Sequence, residues 1–433
     1  MNITEISPTP ILKDFESFMS YFESNKIKVS EKTEHFSNKV LSEVNRILEK
    51  GVQNPPKSLR QEGYTMVLLF YHISLVSGLA NIAFVNNKSY FEVLPRFEDF
   101  LKLLPIEKYM FLLEAFWVHC DLNMISNSYF QERSTQDSIL FLSPVCKEIE
   151  TGKSDFYPDN DRYQHSFREL GTFIECLSFF GFCDFEIDPD HEFATLSRRV
   201  IKRLWITEFG MKILPVLNRN RNLSFWNVSF RIESGEKIDF PGQKNSDYDI
   251  GGFLFESQKY SKTSSFLKPE PFHKAFKSLL PGMKDIAIPV IPYEEKVDLG
   301  RMILNVYFTT KIYRKIAMSS DSTLEELHWI IQEAFDFDND HLYAFFMDGK
   351  PWSHNAYNSP DGSEGPFTDE VTLGELKLKP GKKILYLFDY GDEWRFNVVL
   401  KKVDSIEKPL KAPIILESIG DAPEQYPDYE EDW

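Results

Sequence analysis

The chain has 433 residues, 42% apolar and 27% charged, with 38 Phe; that length exceeds one ordinary core and predicts roughly two to four folding units. Its net charge of -17 is uneven: from Asp298 onward 26 acidic and 14 basic residues give -12, whereas Thr195 to Leu223 holds Arg198, Arg199, Lys202, Arg203, Lys212, Arg219 and Arg221 against Glu208 alone. The total charge therefore does not exclude nucleic acid, because binding depends on the local field near the phosphates.

The start, "MNITEISPTPILKDFESF", has no basic region followed by an apolar one, so the expected location is the cytoplasm. "PILKDFESFMSYF" sets Ile11, Phe15, Phe18 and Phe22 on one helical face, and "FSNKVLSEVNRILEKG" does the same with Val40, Val44 and Ile47 before Gly51. "MVLLFYHISLVSGLANIAFV", Met66 to Val85, is long enough to span a bilayer. His72, Ser74, Ser77, Gly78 and Asn81 interrupt it, however, and a strand-like run follows, so a buried helix and no membrane contact are expected.

Two stretches read as variants of one unit. In the first, the apolar helix reaches "SGLANIAFV", turns at Asn86-Asn87, runs through "SYFEV" and enters the helix "LPRFEDFLKLL". In the second, "HSFRELGTFIECLSFF" reaches "GFCDFEID", crosses a polar loop, runs through "IKRLWI" and enters "TEFGMKILPVL". Gly78 and Gly181 occupy equivalent helix ends, where glycine adopts positive φ, and Thr207 is placed to cap the closing helix. Cys120, Cys146, Cys176 and Cys183 have no CxxC spacing and no histidine at finger-like separation; they read as reduced core thiols, with no metal or cofactor expected.

Helix, glycine, strand, loop, strand, helix is the order of a winged-helix wing. Gly181-Phe182-Cys183 and Ile206 to Gly210 resemble the corresponding stretch of MarR-like regulators over about fifty residues. In the wing, Arg198, Arg199, Lys202 and Arg203 are phosphate-contact candidates. The helix that would enter a groove argues against base reading, since Arg168 is its only cation suited to it and Tyr64 to Ser77, the equivalent helix of the first unit, has none. "ESGEKIDFPGQKNSDYDIGG" and "SQKYSKTSSFLKPEP" then read as loop or linker.

From Arg301 the pattern sharpens. "RMILNVYF" and "IYRKIAM" are β-rich, and "DSTLEELHWIIQEAF" is a helix with Ser322 and Glu325 spaced as a capping box. The strand "HLYAFFM", the Asp348-Gly349 turn, the short turn "VTLGEL" and the strands "KKILYLF" and "WRFNVVLKKV" follow. This order suggests a ubiquitin-like β-grasp. The motifs "YRKI", "STLEELHWIIQEAF", "HLYAF", "VTLGEL" and "YLFDYGDEW" resemble the plasmid pRiA4b ORF-3-like family, and "PFHKAFKSLLPGM" with the tandem helical units is similar to its longer members. The chain departs from that pattern at Tyr313, at Phe396 and in its ending "GDAPEQYPDYEEDW". The resemblance implies a fold and a link to plasmids or mobile elements, without an established reaction.

Among the motif positions, His328, His341, Asp389 and Asp392 are candidates for acid-base or metal chemistry if the helix end, the next strand and the final hairpin converge. The plainer reading makes His328 a core histidine, and Asp389 and Asp392 turn residues around Tyr390-Gly391, with glycine supplying positive φ. "DFDND" lacks the glycine and the terminal glutamate of a calcium loop, and GxxxxGK[ST], GxSxG and HExxH do not occur. The acidic end carries Tyr426, Tyr429 and Trp433 as partner-binding candidates.

The expected fold class is α+β multidomain. It comprises a helical region with the first winged-helix-like unit (1-160), the second unit (161-223), a connecting region (224-296), the β-grasp domain (297-413) and an acidic tail (414-433). The favoured reading is a non-enzymatic protein-interaction or adaptor protein with a protein partner. A winged-helix DNA-binding regulator, with weak nucleic-acid contact through the second wing, is the alternative; an enzyme using the His/Asp positions comes third.

Overall fold

A computed structural model describes residues 3–25, 27–30, 33–85, 88–126, 133–158, 161–195, 197–234, 236, 241–243, 270–280, 288–290, 300–353, 355–363, 365–376, 378, 381–405 and 410–426. The chain divides into two units, one of Met1–Ala83 and Lys88–Pro292, the other of Tyr293–Trp433 together with Phe84–Asn87.

The N-terminal unit is mainly helical. Ile11–Glu23 buries Ile11, Phe15, Phe18 and Phe22 as the spacing predicts, and Phe15 packs edge-on against Phe70 and Phe100. In the helix Asn38–Ile47 the buried face is shifted: Leu41 and Val44 point inward, whereas Ile47 is exposed. The apolar run from Met66 is the helix Thr65–Val76 followed by a strand, and among the described residues no helix is long and apolar enough to cross a membrane.

Two small antiparallel sheets carry the repeat. β1 (Ile27–Lys28), β2 (Ala80–Val85) and β3 (Lys88–Val93) are ordered β1-β3-β2, and β4 (Asp155–Phe156), β5 (Cys183–Ile187) and β6 (Ile201–Ile206) are ordered β4-β6-β5. The strand order is thus the same in both. Gly78 (φ 64°) and Gly181 (φ 80°) end the preceding helices in the left-handed region, which side chains with a Cβ rarely adopt. Thr207 accepts a hydrogen bond from the Gly210 N–H and caps Glu208–Asn220. The expected turn at Asn86-Asn87 lies outside the described residues. The helix read as continuous through His165 to Phe180 breaks at Leu170, into Asp161–Glu169 and Gly171–Phe179. One hydrophobic core runs from Ile3 to Val290, and Phe272, Phe276 and Leu280 of the expected connecting region belong to it.

The C-terminal unit is a seven-stranded sheet with one long helix. Its strands are β7 (Gly300–Tyr307), β8 (Tyr313–Ser319), β9 (Tyr343–Phe346), β10 (Ala356–Asn358), β11 (Lys383–Phe388), β12 (Trp394–Ser405) and β13 (Ile414–Ile419), in the order β10-β9-β11-β12-β7-β8-β13. Every pairing is antiparallel, including that of the two long strands β7 and β12. A ubiquitin-like β-grasp pairs its first and last strands in parallel, so the expectation holds only as a helix packed on a large antiparallel sheet. The reason is local: β12 turns back from β11 in a hairpin and continues beside β7 in the direction opposite to β7.

Helix Leu324–Phe335 is capped by Thr323 with Glu326, one residue beyond the expected Ser322 and Glu325. Leu324, Leu327, Ile331 and Phe335 meet Leu304, Ile316, Phe345, Tyr386 and Val398 in the main core. The opposite pleat of β9 and β11 buries Ala344, Phe346, Leu385 and Leu387 in a smaller cluster. Ile414–Ile419, read from sequence as the start of an acidic tail, is a strand of the sheet. Arg314, on neighbouring β8, donates to the Ile419 and Gly420 carbonyls.

Candidate functional site

The helix face that buries Leu324 and Leu327 also buries His328, which is fully shielded from solvent. Gln332 Nε2 donates to the Tyr386 hydroxyl at 2.7 Å, leaving that hydroxyl to donate its own proton to His328 Nδ1, also at 2.7 Å. The imidazole stacks on Tyr343 with centroids 3.6 Å apart and planes 2° from parallel. Burial lowers its pKa to about 4, against a smaller opposing effect of Asn339, and favours the neutral ring. The arrangement is a polar network inside the core.

His341 stands at the edge of the same region. The Phe388 ring lies 6.2 Å from each of the two imidazoles. His341 Nε2 is 3.5 Å from Asp389 Oδ2 and 3.8 Å from Asp340 Oδ1. Asp389 is itself a turn residue: at φ 56° its Oδ1 accepts from the Gly391 N–H at 2.8 Å and its carbonyl from the Glu393 N–H at 2.7 Å. The left-handed positions are Asp389 and Glu393, so Gly391 does not have the role expected of it; a Cβ there would stand 3.2 Å from Asp389 Oδ1. Three of the four motif candidates therefore gather around Phe388, while Asp392 stays exposed at the turn. Among the described residues no group of three or more His, Cys, Asp or Glu is placed to hold a metal ion.

The C-terminal segment reaches this edge. Gln425 is buried; its Oε1 accepts from the Asp338 N–H at 2.6 Å and its Nε2 donates to the Asp338 carbonyl at 3.0 Å. The Tyr426 hydroxyl donates to Asp340. Tyr426, one of the partner-binding candidates, thus meets an acidic loop of its own domain through its phenolic proton; Tyr429 and Trp433 lie outside the described residues.

A second feature escaped the sequence reading. Trp352, with φ 62° and half of its surface exposed, stands edge-on to Tyr390 at 5.0 Å and 6.3 Å from Phe346. Its Nε1 donates to Glu393 at 2.9 Å, and Glu393 also pairs with Arg395. These two partners hold the exposed Glu393 carboxyl below its ordinary pKa. An exposed tryptophan in a left-handed turn is uncommon, and "DGKPWS" was the available signal.

Three of the four wing cations are engaged within the protein. Arg198 pairs with the buried Glu169 at 2.6 Å, Arg199 with Glu175 at 3.0 Å, and Arg203 with Asp155 at 2.8 Å while lying over the Trp205 and Tyr157 rings. Lys212 meets Glu208, Arg219 meets Glu150, and Arg221 meets Glu270. Six of the seven basic residues between Thr195 and Leu223 thus have a carboxylate within ion-pair distance, and Lys202 is exposed. Arg168 pairs with Glu169 and covers Phe193. The local charge read from sequence is largely neutralised by acids supplied from other segments.

Residues 304–427 match the model of the family described as plasmid pRiA4b ORF-3-like protein. The C-terminal unit carries a pRiA4b ORF-3-like domain. The chain is similar to an uncharacterized protein, y4hQ, of Sinorhizobium fredii, at 25% identity over 116 residues, which cover 26% of this chain and 57% of that protein. It thus spans little more than half of that relative's length. It is also similar to a crystal structure of a protein of unknown function from Methanosarcina mazei Go1, with 26% identity, a TM-score of 0.23, and coverage of 28% of this chain and 68% of that one. Within the pRiA4b ORF-3-like domain, the match takes in β13, Gln425 and Tyr426, beyond the boundary at 413 expected from sequence.

Proposed function

We propose that the chain is a non-enzymatic adaptor that binds a partner protein. In this reading the tandem units of the N-terminal part act as winged-helix-like docking modules, and the exposed Trp352 of the pRiA4b ORF-3-like domain, packed on the partly buried Tyr390, forms a contact centre. The observation that carries it is the internal pairing of six of the seven cations in the basic run, which removes the charge the DNA-binding alternative depends on. The shared strand order of the two small sheets supports winged-helix-like units, and such units serve in protein docking as well as DNA binding. A tryptophan left half-exposed, with its indole N–H held by Glu393, has the character of an interface anchor.

Fluorescence anisotropy on unrelated duplexes at several salt concentrations tests the choice. With Lys202 as the available wing cation, the logarithmic salt slope should be no steeper than about -0.9, and Lys202→Ala should remove it. A slope near -3.6, lost when Arg198, Arg199, Lys202 and Arg203 are all replaced by Ala, would put the DNA-binding regulator first. A photo-cross-linking residue at position 352 identifies the protein partner. Calorimetry with that purified partner should then show binding weakened by about tenfold or more in Trp352→Ala.

A further inference from the structure

The two edges of the large sheet are unequal. β10 is three residues long and already bridged by Phe367, whose preceding Pro366 carbonyl accepts from the Asn358 N–H at 2.8 Å. β13 has six residues, ends the strand order on the other side, and exposes Ile414 (47%), Leu416 (49%) and Ile419 (38%). A long apolar edge strand is a template for pairing with another chain unless it is blunted by charge or proline. Glu417 is the single charged residue of β13, and Lys315 lies 4.0 Å from it.

The pairing of β13 with β8 assigns its faces. Ile414, Glu417 and Ile419 stand opposite Ala317, Lys315 and Tyr313, and so share one face. Ile415 and Ser418 stand opposite Ile316 and Arg314 on the core side, with a bulge at Leu416. A two-fold axis between Leu416 and Glu417 would place Ile414 of one copy against Ile419 of another, on the same face and twice over. Residues opposed across an antiparallel pair share a face and lie close enough to pack. The C-terminal part as a whole, at -12, would repel a second copy, whereas β13 presents one acid next to a lysine.

We propose that β13 is a self-association edge, and that two copies of this chain join by antiparallel β13 pairing into one continuous sheet with Ile414 opposite Ile419. The symmetry is isologous, so the interface closes at two copies. Sedimentation of the full chain should give twice the 50.7 kDa monomer mass at concentrations up to about 100 µM. The Ile414→Lys/Ile419→Lys variant should sediment as a monomer, or bind itself at least about tenfold more weakly, with an unchanged circular dichroism spectrum and melting temperature.

Register is read by disulfide cross-linking, to which the four native cysteines, all buried, contribute little. The Ile414→Cys/Ile419→Cys variant should cross-link under oxidation, since opposed Cα atoms fall within disulfide range. Ile414→Cys alone should not, because its two copies would lie roughly 16 Å apart along the strands. A monomeric wild-type chain, a dimer that survives the lysine pair, or equal cross-linking of the single variant would each overturn the proposal.

Discussion

Ending the chain at Pro413 instead of Tyr426 tests whether the last described segment is a tail or part of the domain. The longer end keeps five residue pairs between β13 and β8, the packing of Ile415, the Arg314 bonds to the Ile419 and Gly420 carbonyls, and the Gln425 pair with Asp338. Arg314 retains the Ala334 and Tyr313 carbonyls after truncation, and water reaches the vacated side, so its loss is about 2 kcal/mol. Ile415 adds about 1–1.5 kcal/mol and the Gln425 amide bonds about 1–2 kcal/mol. The sum, about 4–5.5 kcal/mol, reaches the lower end of a whole domain's stability. At a urea slope of about 1–2 kcal/mol/M, the midpoint should fall by about 2–5.5 M. The assay compares fragments Val297 to Tyr426 and Val297 to Pro413, followed by tryptophan fluorescence, to which the partly buried Trp394, 5.0 Å from Phe337, contributes alongside the exposed Trp329 and Trp352. The longer fragment encloses the second core and should unfold cooperatively. Equal midpoints would refute the structural account of the segment.

Acid should weaken the longer fragment through His328. Its folded pKa of about 4 lies below the usual 6.5, so the unfolded chain takes up the proton first; the contribution is complete above pH 6.5 and lost as pH falls to 4. The slope over that window is at most about 1.4 kcal/mol per pH unit, and His328→Gln should flatten it; an unchanged slope would show that the imidazole is not held neutral. Purified protein is expected to contain no stoichiometric transition metal by elemental analysis, and one zinc or manganese per chain, lost in His341→Ala, would bring the enzyme reading forward.

Features set by short-range chemistry were legible in the sequence. The glycine helix ends at Gly78 and Gly181, the Thr207 cap and the helix Leu324–Phe335 follow from backbone freedom, capping groups and 3.6-residue periodicity within a few neighbours. β7, β8, β9, β11 and β12 announced themselves because long apolar or alternating runs mark strands buried on at least one face. β10 and β13 did not: β10 is too short to show a period, and β13 is an edge strand whose bulge breaks its alternation.

Only tertiary structure decided what the charged residues do. Arg198, Arg199 and Arg203 read as a basic run because Glu169, Glu175 and Asp155 are distant in sequence; folding brings each carboxylate to its guanidinium. His328, His341 and Asp389 come from a helix, the loop before β9 and a hairpin turn, and their neighbourhood around Phe388 depends on the β9-β11 register. Composition and periodicity act along the chain, whereas ion pairs and buried hydrogen-bond networks act through space. That difference is why the elements could be read before the fold, while the pairing of their charges could not.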